Sequence, residues 1–221
     1  MPENKLLDLS REIAAAVDHI EQLVYEAVKP LGFRKHGRTL HRFVDGDISQ
    51  VIHFQNGCPQ KGVYDVLWIN LGIRIPECAQ RYDGVTGEKR KYYQEYACTI
   101  PTRLGDLAAQ QETYDLREDP EAIGRDVLDK LRRYVLPVFE TITSREAVLE
   151  NRELLLEFDH MTYRTLADLE ESMIHFKRGN LLETQRLFAR YYRTQKQAGA
   201  NRGHIAYLEN LGEKLGLSLE D

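Results

Sequence analysis

The sequence predicts an α+β fold, in which an antiparallel sheet of four or more strands packs with an N-terminal helix and with later helices. Two alternating apolar runs flank the turn signal Asp45-Gly46-Asp47, and a third β-rich run follows over residues 63–75. Apolar residues at helical spacing occur on both sides of these runs, and residues 151–221 contain only that spacing. We therefore expect an α+β domain over residues 1–150 and an all-helical C-terminal subdomain over residues 151–221.

The first helix is expected over about Leu6–Lys29, where apolar residues recur at three- and four-residue steps. Pro30 cannot continue the backbone hydrogen-bond ladder, and Gly32 lets the chain turn away, so the helix ends there. We expect Leu31 and Phe33 to lie under the sheet.

The hairpin that follows is expected to have a three-residue loop, Asp45–Asp47, because this register collects the apolar side chains on one face. That face carries Leu40, Val44, Ile48, Ile52 and Phe54. The other face carries His41, Phe43, Val51 and His53. A slip of one residue would exchange the two faces, because strand side chains alternate.

The third strand is expected over about Val63–Ile75, and it has apolar groups on both sides, which is typical of a central strand. The segment Pro76–Gln94 contains turn signals and a charge run, and irregular segments of this length are often mobile or functional. A fourth strand is expected over about Tyr96–Leu104. Pro101 lacks a backbone donor, which favours an edge position or a bulge.

Helices account for the remaining predicted elements. Asp119-Pro120 is a typical helix start, and Pro137 ends or kinks that helix. Thr143 with Glu146 forms a capping-box pattern before a helix over about residues 144–157. Three further helices are expected over about residues 165–178, 181–198 and 202–215, of which the first two form an antiparallel hairpin.

Composition excludes some classes of protein. The formal net charge of −5 is unlike that of a general nucleic-acid binder, although it leaves room for a local basic patch. No apolar run approaches the roughly 20 residues that cross a bilayer, and no secretory signal is evident, so we expect no membrane partner. Three cysteines without a Cys-x-x-Cys pair favour a reducing, cytoplasmic location.

Five short pieces of the chain resemble a known family. They are Leu31–Lys35 (Leu-Gly-Phe-Arg-Lys), Gln50–Gln55 (Gln-Val-Ile-His-Phe-Gln), Ile69–Ile73 (Ile-Asn-Leu-Gly-Ile), Arg103–Leu107 (Arg-Leu-Gly-Asp-Leu) and Leu136–Val138 (Leu-Pro-Val). Over about residues 10–150 the sequence is similar to an uncharacterised bacterial family, the domain of unknown function numbered 4304. The resemblance implies an α+β domain, and it implies no catalytic residues.

Three groups of side chains are candidate binding residues. His41 and His53 are diagonal neighbours on one hairpin face, where with a carboxylate they could form a metal site or an acid–base pair. No third ligand is evident, so half-buried structural histidines are the alternative and no metal is predicted. Gln50, Gln55, Asn70 and Arg103 are polar groups in apolar strands, which either tie the sheet together or line a pocket. Asn70 and Arg103 are the best candidates for a small-molecule pocket.

The third group is a cluster of cations flanked by Phe33 and Phe43. No acidic residue interrupts the cluster, which consists of Arg34, Lys35, His36, Arg38 and Arg42. Such a patch suits phosphate, single-stranded nucleic acid or an acidic protein. The alternative is a solvated strand edge, where cations discourage aggregation.

The sequence lacks four common functional motifs: the phosphate loop, the dinucleotide fingerprint, the nucleophile elbow and His-Glu-x-x-His. We therefore predict no cofactor. We therefore expect a non-enzymatic, cytoplasmic protein-binding module, resembling immunity-type proteins that cap a toxin or another protein. One alternative is an enzyme with a pocket around Asn70 and Arg103. Another is a weak nucleic-acid binder that uses the Arg34–Arg42 patch. The oligomeric state is left open.

Overall fold

The computed structural model describes residues 3–57, 65–78, 92–109, 113–159 and 166–219. The chain divides into two compact units, Met1–Tyr163 and Arg164–Asp221. The domain boundary near residue 150 that composition indicates stays a prediction. Cys58, the loop that follows it, the start expected for the third strand at Val63 and the turn signals within residues 79–91 lie outside the described residues.

The first unit contains helix α1 and a mixed succession of strands and short helices. The described elements are α1 Glu3–Val28, β1 Arg34–His36, β2 Thr39–Val44, β3 Ile48–Asn56, β4 Val66–Arg74, β5 Ile100–Arg103, α2 Leu104–Leu107, β6 Tyr114–Asp115, α3 Pro120–Lys130, α4 Leu136–Thr141, α5 Arg145–Glu150 and α6 Arg152–Phe158. A π-helical turn, Leu131–Val135, joins α3 to α4. The predicted α+β class with an antiparallel sheet is therefore confirmed.

The sheet is antiparallel throughout its described ladders, with the order β1-β2-β3-β4-β5 and with β6 paired to β4. Val44 pairs with Ile48, so the hairpin has the expected three-residue loop, and Asp45 and Gly46 both adopt positive φ angles there. β4 is central and β5 ends the strand order, as the patterns of β4 and of Pro101 predict.

The apolar face of the sheet forms the core with α1. Leu40, Ile52, Leu71 and Ile73 on this face are fully buried, as are Val17, Ile20 and Val24 of α1. Phe33 is buried as expected, whereas Leu31 stays partly exposed, because it belongs to the 3₁₀ turn Lys29–Leu31 that ends α1.

Three further local expectations were wrong, and one strand was missed. Strand β1 was not predicted, because three exposed polar residues carry no alternating pattern. β5 begins at Ile100 rather than Tyr96, since Glu95–Ala97 forms a 3₁₀ turn. The helix after residue 143 is capped by the Ser144 hydroxyl, which accepts from the Ala147 amide, not by Thr143. That helix also breaks at Asn151, which leaves two short helices, α5 and α6.

Arg145 joins three distant segments of the first unit. Its guanidinium donates to carboxylate oxygens of Asp45 at 2.8 Å, Asp47 at 2.7 Å and Glu77 at 2.7 Å, and its side chain is only 7% exposed. The hairpin loop, the end of β4 and α5 are thereby held together. This ion cluster fixes one end of the sheet.

The second unit contains α7 Asp168–Lys177, α8 Leu181–Gln197 and α9 Arg202–Leu215. α7 and α8 pack closely across the short connection at Gly179 and Asn180, which is the predicted helical hairpin. The core of this unit consists of Leu169, Phe188, Tyr192 and Leu208. Within the described parts of the chain, every helix is too short or too polar to cross a lipid bilayer.

Candidate functional site

One face of the sheet in the first unit is polar although it is largely buried. In register across β2, β3, β4 and β5 lie Thr39, His53, Asn70 and Arg103, which we call the polar row. Strand alternation places this row on the face opposite the α1 core. Thr39, His53 and Asn70 are all buried. A buried face of this kind requires hydrogen-bond partners for each polar group.

Residues 92–98, which we call the covering segment, lie over the polar row. Glu95 of this segment accepts a hydrogen bond at 3.0 Å from the Asn70 amide nitrogen, and Cys98 packs against Gly72. A β-carbon at position 72 would lie 2.5 Å from the Cys98 sulfur, so only glycine permits this close approach. Gly72 therefore sets how near the covering segment comes to the sheet.

Asn70 is fixed by its two donated hydrogen bonds. Its Nδ2 donates to Gln55 Oε1 at 2.7 Å and to Glu95 Oε1 at 3.0 Å. Both amide hydrogens are thus used, which leaves Asn70 Oδ1 as an acceptor. Burial raises the pKa of Glu95, and the hydrogen bond from Asn70 and the charge of Arg103 act in the opposite direction.

His53 is held between the sheet and Glu95. Its Nδ1 lies 2.8 Å from the Thr39 hydroxyl oxygen, and its Nε2 lies 4.0 Å from Glu95 Oε2. Burial lowers the pKa of His53 to about 4, so the imidazole is neutral at pH 7. The gap of 4.0 Å exceeds a direct hydrogen bond, and one bridging atom fits between the two groups.

His41 lies beside the row, where its Nε2 is 2.8 Å from the Tyr93 carbonyl oxygen and 3.3 Å from the Tyr93 amide nitrogen. The carbonyl contact requires a hydrogen on Nε2, whereas the amide contact requires a lone pair there, so Nδ1 is an acceptor in one tautomer and a donor in the other. Burial lowers the pKa of His41, which keeps the ring neutral.

The buried polar atoms without a hydrogen-bond partner among the described residues include three on this face: Asn70 Oδ1, Glu95 Oε2 and His41 Nδ1. Their residues are 1%, 8% and 1% exposed. Leaving a buried polar group unsatisfied costs about 1–3 kcal/mol. Three such groups on one face are therefore the strongest indication of a site in this unit.

The arrangement favours binding over covalent chemistry. Thr39 and His53 have the spacing of a nucleophile and a base, but Glu95 is too far from His53 to orient the ring by a direct hydrogen bond. No group of three metal-ligating side chains lies together within the described ranges. What the face offers is a set of buried polar groups that can form hydrogen bonds in a partly dehydrated setting.

The predicted cation cluster is dispersed by the fold. Lys35 Nζ lies 3.1 Å from the buried Glu21 carboxylate, and an Arg38 guanidinium nitrogen lies 3.1 Å from Asp18, both acids belonging to α1. Arg42 points to the opposite face, where it donates to Gln50 and to the Phe139 carbonyl oxygen. Arg34 is exposed on β1, apart from these contacts.

Of the predicted site residues, the structure brings together His53, Asn70 and Arg103, with His41 beside them. It does not bring Arg34, Lys35, Arg38 or Arg42 into that site. Gln50 is structural, since its Nε2 donates to the Phe139 and Ile142 carbonyl oxygens beneath the sheet.

An aromatic group lies at the β1–β2 edge of the sheet. Its members, which we call the ring cluster, are His36, His41, Phe43 and Tyr92. The His36 and Tyr92 rings stack with centroids 4.1 Å apart, and Phe43 is 43% exposed. Phe43 is thus an exposed aromatic side chain near the polar row, as is Tyr96 of the covering segment.

Comparison with protein-family models gives a match to Domain of unknown function (DUF4304) over residues 24–141, which is more than half of the chain. The chain belongs to this family. The DUF4304 region contains every strand of the sheet, the covering segment and the whole polar row. No curated protein and no solved structure matches the chain.

Sequence reasoning missed Glu95 and Thr39 as members of the DUF4304 polar face. Glu95 lies in an irregular segment, where no periodicity indicates which side chain turns toward the sheet. Thr39 had a usable signal, because the predicted hairpin register already paired it with His53.

Proposed function

We propose that the DUF4304 domain binds a small polar molecule on the polar face of its sheet. The single observation that carries the proposal is the presence on this face of buried polar atoms without described partners, on Asn70, Glu95 and His41. A purely structural face would be expected to pair these atoms within the protein.

Two further features support binding at this place. The sheet provides a rigid platform, because Asn70 and His53 lie on the paired strands β4 and β3. Trp68 and Gln55 are cross-strand neighbours on the same face. Trp68 is half-buried and Gln55 is exposed, so this end of the polar row is open to solvent. Ligand sites commonly combine such apolar walls with a few convergent polar groups.

Mass spectrometry of co-purifying small molecules tests the proposal. The full chain is purified without denaturation, extracted and compared with the variants Glu95→Gln and Asn70→Leu. A matched control, Glu118→Gln, makes the same chemical change at an exposed position of the same unit. We expect a compound that wild type and control retain and that both site variants lose.

The same variants provide the refuting result. If a broad metabolite screen followed by Trp68 fluorescence gives no saturable response, and Glu95→Gln behaves as wild type throughout, the polar face is only a structural network. Circular dichroism of each variant must match that of the wild type, so that loss of binding is not loss of the fold.

A second candidate, a non-enzymatic protein-binding module, is favoured by the ring cluster. Phe43 is 43% exposed and Tyr96 is 61% exposed, and aromatic side chains are enriched at the centres of protein interfaces. Cross-linking of the wild type and Phe43→Ser in a lysate of the source organism, followed by reconstitution with the purified partner, tests this. Leu182→Ser, at an 84% exposed leucine of the second unit, is the control.

We also propose a cytoplasmic location on the evidence of thiol chemistry. Cys98 is buried and makes no disulfide bond. Unpaired cysteines are typical of reducing compartments. The location of a tagged full-length chain in the cell, compared with cell fractionation of the untagged chain, tests this proposal.

A further inference from the structure

We infer that the covering segment, residues 92–98, is a lid that lifts from the sheet to admit the small molecule and then closes over it. This inference rests on the proposed function and concerns how that site is reached. It follows from what the segment covers and from the kind of contacts that hold it in place.

The covering segment lies over atoms that a ligand would have to touch. Asn70 and His41 are each 1% exposed, and both contact the segment. Asn70 donates to Glu95 at 3.0 Å, and His41 Nε2 lies 2.8 Å from the Tyr93 carbonyl oxygen. Asn70 Oδ1 and His41 Nδ1 are buried. A molecule can reach these two atoms only if the residues that cover them move.

The backbone of the segment is not part of the sheet. Among the described residues, its backbone–backbone hydrogen bonds are internal, from the Ala97 amide to the Gln94 carbonyl oxygen and from the Cys98 amide to the Glu95 carbonyl oxygen. Regular pairing with β4 starts only with β5. Cys98 is buried, whereas Gln94 and Tyr96 are exposed. Segments with few buried apolar contacts open at a lower free-energy cost than the strands beneath them.

Side chains provide the main attachments of the segment to the sheet. The guanidinium carbon of Arg74 lies 3.5 Å from the centre of the Tyr93 ring, and the Tyr92 ring stacks on His36 with centroids 4.1 Å apart. Cys98 packs against Gly72. The segment can therefore separate from the sheet without breaking a strand ladder or exposing the core between the sheet and α1.

Glu95 favours the open position of the lid. Its side chain is carried into a buried position by the segment, where Oε2 has no described hydrogen-bond partner. Burial raises the pKa of this carboxyl, so its ionised form is less stable there than in water. Closure therefore costs free energy in the empty site, and a ligand that supplies the missing partner to Oε2 shifts the equilibrium toward the closed position.

The Cys98 thiol reports the opening, because it is 5% exposed while the segment lies on the sheet. In the full chain carrying Cys58→Ser and Cys78→Ser it is the single remaining thiol. Its modification by N-ethylmaleimide is followed by mass spectrometry at several low urea concentrations, and global unfolding is followed by Trp68 fluorescence. We expect a labelling rate that hardly depends on urea, because local opening exposes little surface. A rate that rises with urea as steeply as global unfolding does would overturn the inference.

Two tyrosines of the segment provide a matched pair of variants. Tyr93→Ser removes the ring that lies over Arg74 and should accelerate Cys98 labelling about tenfold. Tyr96→Ser, at a side chain that is 61% exposed, should leave the rate unchanged. Equal rates in both variants and in the parent chain would overturn the assignment of the opening to this segment.

Glu95→Gln tests whether the buried charge favours opening. The amide keeps an acceptor for the Asn70 hydrogen bond and removes the charge, so Cys98 labelling should slow several-fold. Glu118→Gln, the same change at an exposed position, should leave the rate unchanged. Faster labelling in Glu95→Gln would mean that the carboxylate holds the segment down, which contradicts the role given to it here.

The co-purifying compound links the opening to the site. The chain as purified should be labelled at Cys98 at least tenfold more slowly than the same chain after the compound has been removed by gel filtration, since a ligand stabilises the closed position. Equal rates would overturn the inference. If Cys98 is labelled only through global unfolding while a compound still co-purifies and is lost in Glu95→Gln, the inference fails and the proposed function stands. If the segment opens but no compound binds, both fail.

Discussion

Acidification should destabilise the first unit through His53. Burial lowers the pKa of this histidine to about 4 in the folded protein, against about 6.5 in an unfolded chain. Between these two pH values His53 is protonated in the unfolded state but stays neutral in the folded state. The free energy of unfolding must therefore fall as the pH falls from about 6.5 toward 4.

The size of the effect follows from the two pKa values. Complete protonation of the unfolded state alone would cost about 3 kcal/mol, and between pH 7 and pH 5 the loss is about 2 kcal/mol. Burial raises the pKa of Glu95, so this carboxyl gains a proton more readily in the folded state and opposes the loss at lower pH. A comparison of variants is needed to isolate His53.

Urea unfolding followed by Trp68 fluorescence supplies the measurement, because Trp68 lies in the same sheet. His53→Asn keeps an amide group that can bond to Thr39 and removes the titrating ring. We expect the wild type to lose about 2 kcal/mol more than His53→Asn between pH 7 and pH 5. Equal pH dependence in wild type and His53→Asn would refute the reasoning.

Three further substitutions test the packing of the first unit by the same unfolding assay. Arg145→Met should cost about 3 kcal/mol, because it leaves three acids facing one another. Arg117→Met, at an exposed ion pair, should cost far less, and equal costs would contradict this. Gln50→Leu should cost about 2 kcal/mol, because the Ile142 carbonyl oxygen loses its donor and Arg42 Nε loses its acceptor, and a neutral result would contradict this. Gly72→Ala should cost about 1–3 kcal/mol, because its β-carbon would clash with the Cys98 sulfur. In a Cys98→Gly background the same substitution should cost less, and additive losses of stability in the double variant would contradict this explanation.

The sheet could be predicted from sequence because its strands alternate strongly. The pairing of Val44 with Ile48 and the central place of β4 both follow from the requirement that one face be apolar. β1 could not be predicted, because Arg34, Lys35 and His36 carry no apolar periodicity and owe their strand conformation to pairing with β2. Tertiary pairing outweighs local preference there.

The candidate site could be predicted in part. His53, Asn70 and Arg103 stand out as polar residues in apolar strands, and the sheet register brings them into one row. Glu95 completes the site from an irregular segment, where sequence spacing does not fix direction. The cation cluster misleads for a related reason, since the acids that pair with Lys35 and Arg38 lie on α1, far from them in sequence.

The ion cluster at Arg145 has a consequence for folding kinetics. Arg145 and Asp45 are 100 residues apart in sequence, so their contact closes a very long loop. Closing such a loop costs conformational entropy before the contact can contribute any stabilisation. We therefore expect this contact to form after the rate-limiting step of folding. Loss of the guanidinium should then shorten the lifetime of the native state while leaving the refolding rate nearly unchanged.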